Sequence, residues 1–303
     1  MTITDADPLT DWEPMFRALV RGRRFDELAL KLQRQGVIDS YGEARGQEAA
    51  QIGAVIDLED DDMVFPSYRQ PAVALERGVP TVELLRFYAG GDFCPWDWRE
   101  HRFAPYCIPV GSQVAHAVGW AWASRLRGES AATVVFFGDG AASQGEVHEA
   151  MNYAGVFRAP VVFMLENNGF AISLPTSQQT RAEALYHRAA GYGIAGARVD
   201  GNDVLAVREV VRDALVRARA GHGPTLVEAV TYRMGGHTTS DDPRRYRSEA
   251  DLSEWAERDP VARFRSELER RPDVQERSGE IERDVEAELD RATDEFLEER
   301  GMA

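Results

Sequence analysis

The fold is decided by two short stretches, TVVFFGDG at residues 133–140 and VVFMLENNG at residues 161–169. Each begins with an apolar run whose length and β-branched or aromatic content are typical of a strand buried on both faces. Residues 145–157, between them, have the pattern of a helix. A strand, a helix and a second strand in this order predict neighbouring parallel strands with helices covering the sheet.

The same alternation extends in both directions along the chain. We predict an α/β fold, a three-layer doubly wound parallel sheet, in a single domain over residues 1–303. Thr10 and Glu13 have capping-box spacing at the start of a helix predicted over 9–36. The charged tail over 249–300 is predicted to be helical, either packed on the domain or on a partner, or solvated. The other predicted elements are helices at 47–58, 81–89, 113–126 and 204–219, strands at 197–199 and 226–230, and a long loop at 91–109.

Polar residues follow both deciding strands at the point where each strand ends. Gly138, Asp139 and Gly140 come after the first, and Asn167 and Asn168 come after the second. Ligands of open α/β sheets bind at the carboxyl ends of the strands. Carboxylate and amide oxygens suit Mg²⁺, which completes its shell with phosphate oxygens and water. A helix beginning just after Gly140 would point free N–H groups at the same place, so the pattern predicts a metal-bridged phosphate site.

Composition excludes several classes of protein. The 303 residues are 44% hydrophobic, enough for a substantial core, and the net charge of −16 disfavours nucleic acid as a partner. No apolar run reaches the roughly 20 residues of a membrane helix, and the acidic N-terminus lacks the features of a signal peptide. We therefore expect a cytoplasmic protein without a membrane partner. Cys94 and Cys107 are expected to be reduced structural thiols.

The two motifs together identify a family resemblance, because each is weak alone and their spacing is specific. The segment from Gly138 to Glu146, followed by the segment from Glu166 to Ser173, resembles the α subunit of the decarboxylating component of 2-oxo acid dehydrogenases, with the branched-chain type most similar. The resemblance extends over most of the chain, through residues 46–49, 68–69, 199–204 and 232–243. It implies the thiamin-diphosphate-binding fold of the diphosphate-binding type, with thiamine diphosphate and Mg²⁺ as cofactors.

The resemblance also implies roles for individual residues. Asp139, Asn168 and the carbonyl of Phe170 would bind the metal. Tyr68 and Arg69 match a pair that holds the diphosphate, and arginine suits this role because its planar fork donates two bonds to phosphate oxygens. Ile108 and Val110 match the segment that receives the aminopyrimidine ring. The remaining cofactor-binding positions are Gly138, Gly140, Ala141 and His237.

His237 is the residue that we expect to be catalytic. It lies in a polar loop after a strand and matches a family histidine near the reactive carbon, where an imidazole can donate to developing negative charge. The family implies that a β subunit supplies the activating glutamate, since Glu146 and Glu149 look badly placed here. An α₂β₂ assembly, a lipoyl-bearing acyltransferase and a small 2-oxo acid are therefore the expected partners.

Two departures from the family pattern bear on regulation and substrate. Thr238 stands where animal members carry a phosphorylated serine, which does not support kinase control. Gly42 stands where pyruvate-type members often carry a histidine, which mildly favours a branched-chain or broad aliphatic substrate. The alternatives are an acetoin dehydrogenase α subunit, a Mg²⁺-dependent nucleotide-binding protein, and a subunit that keeps the fold without the site. Lys31, the single lysine, lies far from any glycine-rich loop, which argues against the nucleotide-binding class.

Overall fold

The structure is a computed structural model and describes residues 11–302. A parallel five-stranded sheet forms its centre, and a short antiparallel hairpin lies beside it. The strands are β1 (Met63–Phe65), β2 (Thr133–Gly138), β3 (Val161–Asn167), β4 (Phe170–Ala171), β5 (Leu174–Pro175), β6 (Ala195–Asp200) and β7 (Thr225–Val230). The order in the main sheet is β1-β2-β3-β7-β6, so the two deciding strands are neighbours at its centre.

Helices surround the sheet on both sides. Among the described residues, no helix is both long and apolar enough to cross a membrane. The helices are α1 (Trp12–Arg34), α2 (Glu48–Gly53), α3 (Pro71–Glu76), α4 (Thr81–Tyr88), α5 (Ser112–Leu126), α6 (Gly145–Phe157), α7 (Thr176–Gln179), α8 (Arg188–Gly191), α9 (Val204–Arg219), α10 (Glu249–Ala256), α11 (Pro260–Glu269) and α12 (Pro272–Glu299).

Successive residues of the central strands enter two different cores. In β2, Val134 and Phe136 belong to the apolar core that includes residues of α1, α2 and α9, whereas Val135 and Phe137 belong to the core that includes residues of α5 and α6. This alternation is what a strand with both faces covered requires, since its side chains point to opposite faces in turn. The predicted three-layer α/β fold is therefore confirmed.

Several features of the first half of the chain differ from the sequence predictions. The strand β1 and the helix α3 were not predicted, because segments of three and six residues are too short for a periodic pattern to show. The helix predicted over 47–58 ends at Gly53, and separate turns follow it. The helix predicted over residues 145–157 is confirmed, but the segment just after Gly140, which was expected to begin a helix, forms a separate 3₁₀ turn at Ala141–Ser143.

The two ends of the described chain pack together. Thr10 of the predicted capping box and residue 9 of the predicted helix lie outside the described residues, while Glu13 pairs with Arg277 of α12 at 2.9 Å. Of the three alternatives for the tail, the structure has the one packed on the domain: α12 lies against α1 and α4. The tail predicted to be helical over 249–300 consists of three helices, α10, α11 and α12, of which α12 is the longest. The side chains that α12 buries are Val274, Ile281, Val285, Leu289 and Phe296.

Residues 91–109 contain no regular helix or strand, as predicted, although Phe103 forms a single bridge with Val64. The loop is nevertheless well packed. Trp96 and Tyr106 are buried in an aromatic cluster, and the Trp96 indole donates to the Phe103 carbonyl at 3.0 Å. This packing fixes the position at which the next residues, 107–111, reach the carboxyl edge of the sheet.

Candidate active site

Four loops meet where neighbouring parallel strands end. Residues 66–70 follow β1, residues 139–141 follow β2, residues 168–170 follow β3 and residues 231–233 follow β7. Because all four strands run in the same direction, their carboxyl ends lie along one edge. The loops surround a cavity of about 250 Å³.

All of the predicted site residues except Ile108 line this cavity. They are Tyr68, Arg69, Val110, Gly138, Asp139, Gly140, Ala141, Asn168, Phe170 and His237. Ile108 lines a neighbouring cleft of about 410 Å³, which also contains Tyr68, Val110 and His237. Ile108 and Val110 are 57% and 48% exposed, so the segment predicted to receive the ring forms an open rim.

Asp139 is buried beneath the cavity and is held by the α7 segment. Its Oδ2 accepts bonds from Gln179 Nε2 at 2.6 Å and from Thr176 Oγ1 at 3.1 Å. Burial raises the pKa of Asp139 above its ordinary value, while these two bonds oppose the rise. A nearby cation would favour the ionised carboxylate, and among the described residues Asp139 forms no ion pair with a side chain. Its setting therefore suits a metal ligand.

Asn168 has a fixed amide orientation. Its Nδ2 donates to Gln47 Oε1 at 3.0 Å, and its Oδ1 accepts from the Phe170 N–H at 3.3 Å. The Phe170 carbonyl accepts from Arg233 Nη1 at 3.3 Å, and a carbonyl oxygen has a second lone pair. Asp139, Asn168 and Phe170 thus bring three hard oxygens to one cavity, a donor set that fits Mg²⁺ with phosphate and water completing the shell.

Unpaired buried atoms support a fit to the whole cofactor. Gln47, Gln113 and Arg233 line the cavity, and each has one buried polar atom without a hydrogen-bond partner among the described residues. Gln47 Nε2 and Arg233 Nε are donors, which suit an anion such as a diphosphate. Gln113 Oε1 is an acceptor, which suits an amino group on a ring. An unpaired buried polar atom costs free energy. A polar ligand that forms hydrogen bonds with these three atoms would therefore stabilise the site.

Arg69 joins two loops as well as lining the cavity. It is 5% exposed, and its guanidinium donates to the Glu43 carbonyl at 2.6 Å and to the His237 carbonyl at 2.9 Å. Five N–H groups on a planar fork leave donors for an anion after these two bonds. The sequence predicted the anion-binding role of Arg69 but not its structural role, since neither carbonyl is close to it along the chain.

His237 lies between the cavity and the neighbouring cleft. Its backbone N–H donates to Asp241 Oδ2 at 2.7 Å, and its Nδ1 is 3.4 Å from Arg69 Nη2. Because a guanidinium has only donors, Nδ1 acts as the acceptor and the neutral ring carries its proton on Nε2. Burial, together with Arg69 and Arg233, lowers the pKa of His237 to about 4. At neutral pH the ring is therefore an uncharged donor through Nε2.

Glu166 also lines the cavity, although no role was predicted for it from the sequence. It is 2% exposed at the end of β3 and accepts bonds from Gln51 Nε2 at 3.0 Å and from Gln70 Nε2 at 2.5 Å. Burial raises its pKa to about 7, against the effect of both glutamines.

The cavity lining also includes Gln47, Gln70, Gln113 and Arg233, which were not among the predicted site residues. Gln47 and Arg233 lie in segments that carry the family resemblance, residues 46–49 and 232–243. The sequence therefore indicated that these two residues belong to functional segments. For Gln70 and Gln113 the sequence offers no local pattern, because an isolated glutamine is usually exposed.

Comparisons with known proteins agree with this geometry. The family described as dehydrogenase E1 component matches residues 17–300. The 3-methyl-2-oxobutanoate dehydrogenase subunit alpha of Mycobacterium tuberculosis (strain ATCC 25618 / H37Rv) is 48% identical over 255 residues, which are 84% of this chain and 70% of that protein. The pyruvate dehydrogenase E1 component subunit alpha of Staphylococcus aureus (strain N315) is 40% identical over 258 residues, 84% of this chain and 69% of that protein.

Both relatives carry names that denote one subunit of a larger 2-oxo acid dehydrogenase. The match with the family covers nearly the whole described chain, including all four loops that surround the cavity. The chain therefore belongs to the dehydrogenase E1 component family, the thiamine-diphosphate-dependent 2-oxo acid dehydrogenases, and corresponds to their α subunit.

Proposed function

We propose that this chain holds the diphosphate of thiamine diphosphate through Mg²⁺, in an enzyme that decarboxylates a branched-chain 2-oxo acid. One observation carries the proposal: Asp139, Asn168 and Arg69, from three separate loops, line the same cavity at the carboxyl edge of the sheet. Asp139 Oδ1, Asn168 Oδ1 and the Phe170 carbonyl would be the protein ligands of Mg²⁺. Arg69, Tyr68 and the amides of residues 138–141 would hold the diphosphate.

The chemistry that thiamine diphosphate supplies when bound is a carbon nucleophile for decarboxylation of the 2-oxo acid and transfer of its acyl group to a lipoyl carrier. This chain contributes binding, orientation and one proton donor. His237 Nε2 carries the proton of the neutral imidazole and can donate to the substrate oxygen on which negative charge develops. The 3.4 Å contact between Arg69 Nη2 and His237 Nδ1 favours the tautomer that carries the proton on Nε2.

A partner chain completes the active site. Glu146 and Glu149 do not line the cavity, and the carboxyl group of Glu166, which does, already accepts hydrogen bonds from Gln51 and Gln70, so we expect the activating glutamate to come from another chain. We assign it to a β subunit in an α₂β₂ assembly, with a lipoyl-bearing acyltransferase as acceptor. The open rim formed by Ile108 and Val110 supports this, because exposed apolar residues at the mouth of a site favour cover by another chain. A cytoplasmic location remains a prediction.

The cleft beside His237 supports a branched aliphatic substrate. Its lining includes Phe87, Tyr88, Ile108 and Val110, and its volume of about 410 Å³ far exceeds what the methyl group of pyruvate needs. Gly42 also lines this cleft, and a Cβ there would lie 3.2 Å from Arg69 Nη1. The Mycobacterium tuberculosis relative is named for 3-methyl-2-oxobutanoate, which agrees with this choice.

Substrate competition tests the proposal. The chain, assembled with its β partner, is assayed with 3-methyl-2-oxobutanoate, pyruvate and acetoin at saturating thiamine diphosphate and Mg²⁺. We expect kcat/KM for the branched acid to exceed that for pyruvate by roughly tenfold or more, since each buried CH₂ contributes about 0.8 kcal/mol. A preference for acetoin would support the acetoin dehydrogenase alternative, and a preference for pyruvate would contradict the choice of substrate while leaving the cofactor site intact.

A further inference from the structure

Glu166 occupies the centre of the carboxyl edge and is surrounded by the elements of the site. In the sheet it is paired with Gly138 of β2 and with Ala229 of β7. Among the described residues, neither of its oxygens forms an ion pair, and two glutamine amides provide its hydrogen bonds. A buried carboxyl group needs such partners because it has lost its water.

Both glutamines continue from Glu166 to the loop that carries Tyr68 and Arg69. Gln51 Nε2 donates a second bond, of 2.8 Å, to the Arg69 carbonyl. Gln70 Oε1 accepts from the backbone N–H and from the hydroxyl of Ser67, each at 2.8 Å. Residues 67–70 form a turn that is therefore fixed at both ends. The amides that hold it, those of Gln51 and Gln70, both donate to the Glu166 carboxyl group.

The direction of these bonds is determined by Glu166. Gln51 uses both hydrogens of its amide as donors, and Gln70 uses its oxygen for Ser67 and its nitrogen for Glu166. Neither amide can rotate by half a turn without losing a bond to the turn. The group at position 166 must consequently present one acceptor oxygen to each glutamine, which the two oxygens of Glu166 do and a carboxamide, with a single oxygen, does not.

We propose that Glu166 is a positioning residue for the diphosphate: through Gln51 and Gln70 it holds the 67–70 turn so that Tyr68 and Arg69 face the cavity. This proposal rests on the proposed function, because it assigns Glu166 to the same cofactor site. Glu166 itself acts through the two glutamines, so its loss changes cofactor affinity more than the rate of the bound enzyme.

An exchange of two side chains tests this arrangement. In Glu166→Gln, the new carboxamide has only one oxygen. Its NH₂ group must therefore face the NH₂ group of Gln51 or Gln70, and one hydrogen bond is lost. The double variant Glu166→Gln, Gln70→Glu restores every bond, since Glu at position 70 accepts from Ser67 with one oxygen and from the new carboxamide with the other. The total charge of the double variant equals that of the parent chain. A role limited to local packing would not be repaired by this exchange.

The measurement is calorimetric titration of thiamine diphosphate with Mg²⁺ into the assembly with the β partner. We expect Kd to rise roughly tenfold to a hundredfold in Glu166→Gln and to return close to the parent value in the double variant. At saturating cofactor, kcat should change by less than about threefold. Asp62→Asn is a control for the loss of a buried charge away from the site, because Asp62 is fully buried and pairs with Arg219 but precedes β1 at the opposite edge. Its Kd should stay at the parent value.

Two results would overturn the proposal. One is a parent-like Kd in Glu166→Gln, and the other is a double variant that melts like the parent but binds as weakly as the single variant. If Glu166→Gln does not fold, Gln70→Met removes the same bridge to Ser67, and parent-like binding by that variant would have the same meaning. A parent assembly that binds no thiamine diphosphate would instead contradict the proposed function itself.

Discussion

Replacing Asp26 by Asn should make the folded chain more stable at alkaline than at acidic pH, relative to the parent. Asp26 lies in α1 and is 1% exposed. Its Oδ1 accepts from the Tyr41 hydroxyl at 2.7 Å and from the Ala44 N–H at 2.8 Å, which ties α1 to the loop whose Glu43 carbonyl holds Arg69. Both hydrogen bonds go to Oδ1, and the carboxamide oxygen of Asn can accept them in the same way. The substitution therefore removes only the buried charge.

The magnitude follows from the pKa. Burial raises the pKa of Asp26 from its usual 3.8 to about 7, so the folded chain holds this proton more tightly than the unfolded chain. Stability therefore falls as pH rises from about 4 to about 7, and it levels off above that range. Between pH 5 and pH 7 the parent should lose about 2 kcal/mol through Asp26, since one pKa unit corresponds to about 1.4 kcal/mol and the folded group is only half ionised at pH 7. The Asn side chain does not titrate in this range, so the variant does not lose stability through this position as pH rises.

Guanidinium chloride unfolding of parent and variant at pH 5 and pH 8, at equal protein concentration, measures the difference. The free energy of unfolding of Asp26→Asn minus that of the parent should increase by about 3 kcal/mol from the lower to the higher pH. Glu129→Gln is the control, because Glu129 is an exposed carboxyl whose pKa is lowered to about 2 by Arg127 and Ser124. It should show no such gain. An Asp26→Asn difference that is the same at both pH values would refute the reasoning.

Three further predictions concern the site itself. Gly140→Ala should weaken binding of thiamine diphosphate roughly tenfold or more, because its Cβ would lie 2.7 Å from the Ala171 Cβ and displace the hairpin that carries Phe170; calorimetry showing parent-like affinity would contradict this. Arg69→Lys should also raise Kd, since a single ammonium cannot reproduce the fork that reaches two carbonyls and an anion, and unchanged Kd would show that Arg69 is only structural. His237→Ala should leave assembly and cofactor affinity intact while acyl transfer to a lipoyl acceptor falls by roughly 10²-fold or more; equal turnover would remove His237 from the mechanism.

The parts of the site that could be predicted from the sequence are those with a local pattern. Asp139 and Asn168 each follow a buried strand, and parallel strands deliver such residues to one edge. Their shared cavity therefore follows from the order of strands and helices, without knowledge of the loops. His237 was predicted from the family resemblance, and it lies at the cavity with its pKa shifted by burial.

The rest depends on contacts between distant segments. Gln51 and Gln70 meet Glu166 across 115 and 96 residues of chain, and nothing near either glutamine indicates that its amide is buried. The short strand β1 is recognisable only beside β2, with which it pairs. The packed position of α12 likewise requires α1, since a charged helix with an apolar stripe has the same sequence pattern on any partner.

The central claim is that Asp139 holds a metal that binds the cofactor diphosphate, and calorimetry with and without Mg²⁺ tests it most directly. The chain, assembled with its β partner, is titrated with thiamine diphosphate in Mg²⁺ and in a chelator, for the parent and for Asp139→Asn. We predict tight binding only for the parent in Mg²⁺, with affinity reduced roughly a hundredfold or more in the other three titrations, since a lost charge-assisted contact with a buried ion costs at least a few kcal/mol. Equal affinity in all four titrations would contradict the account.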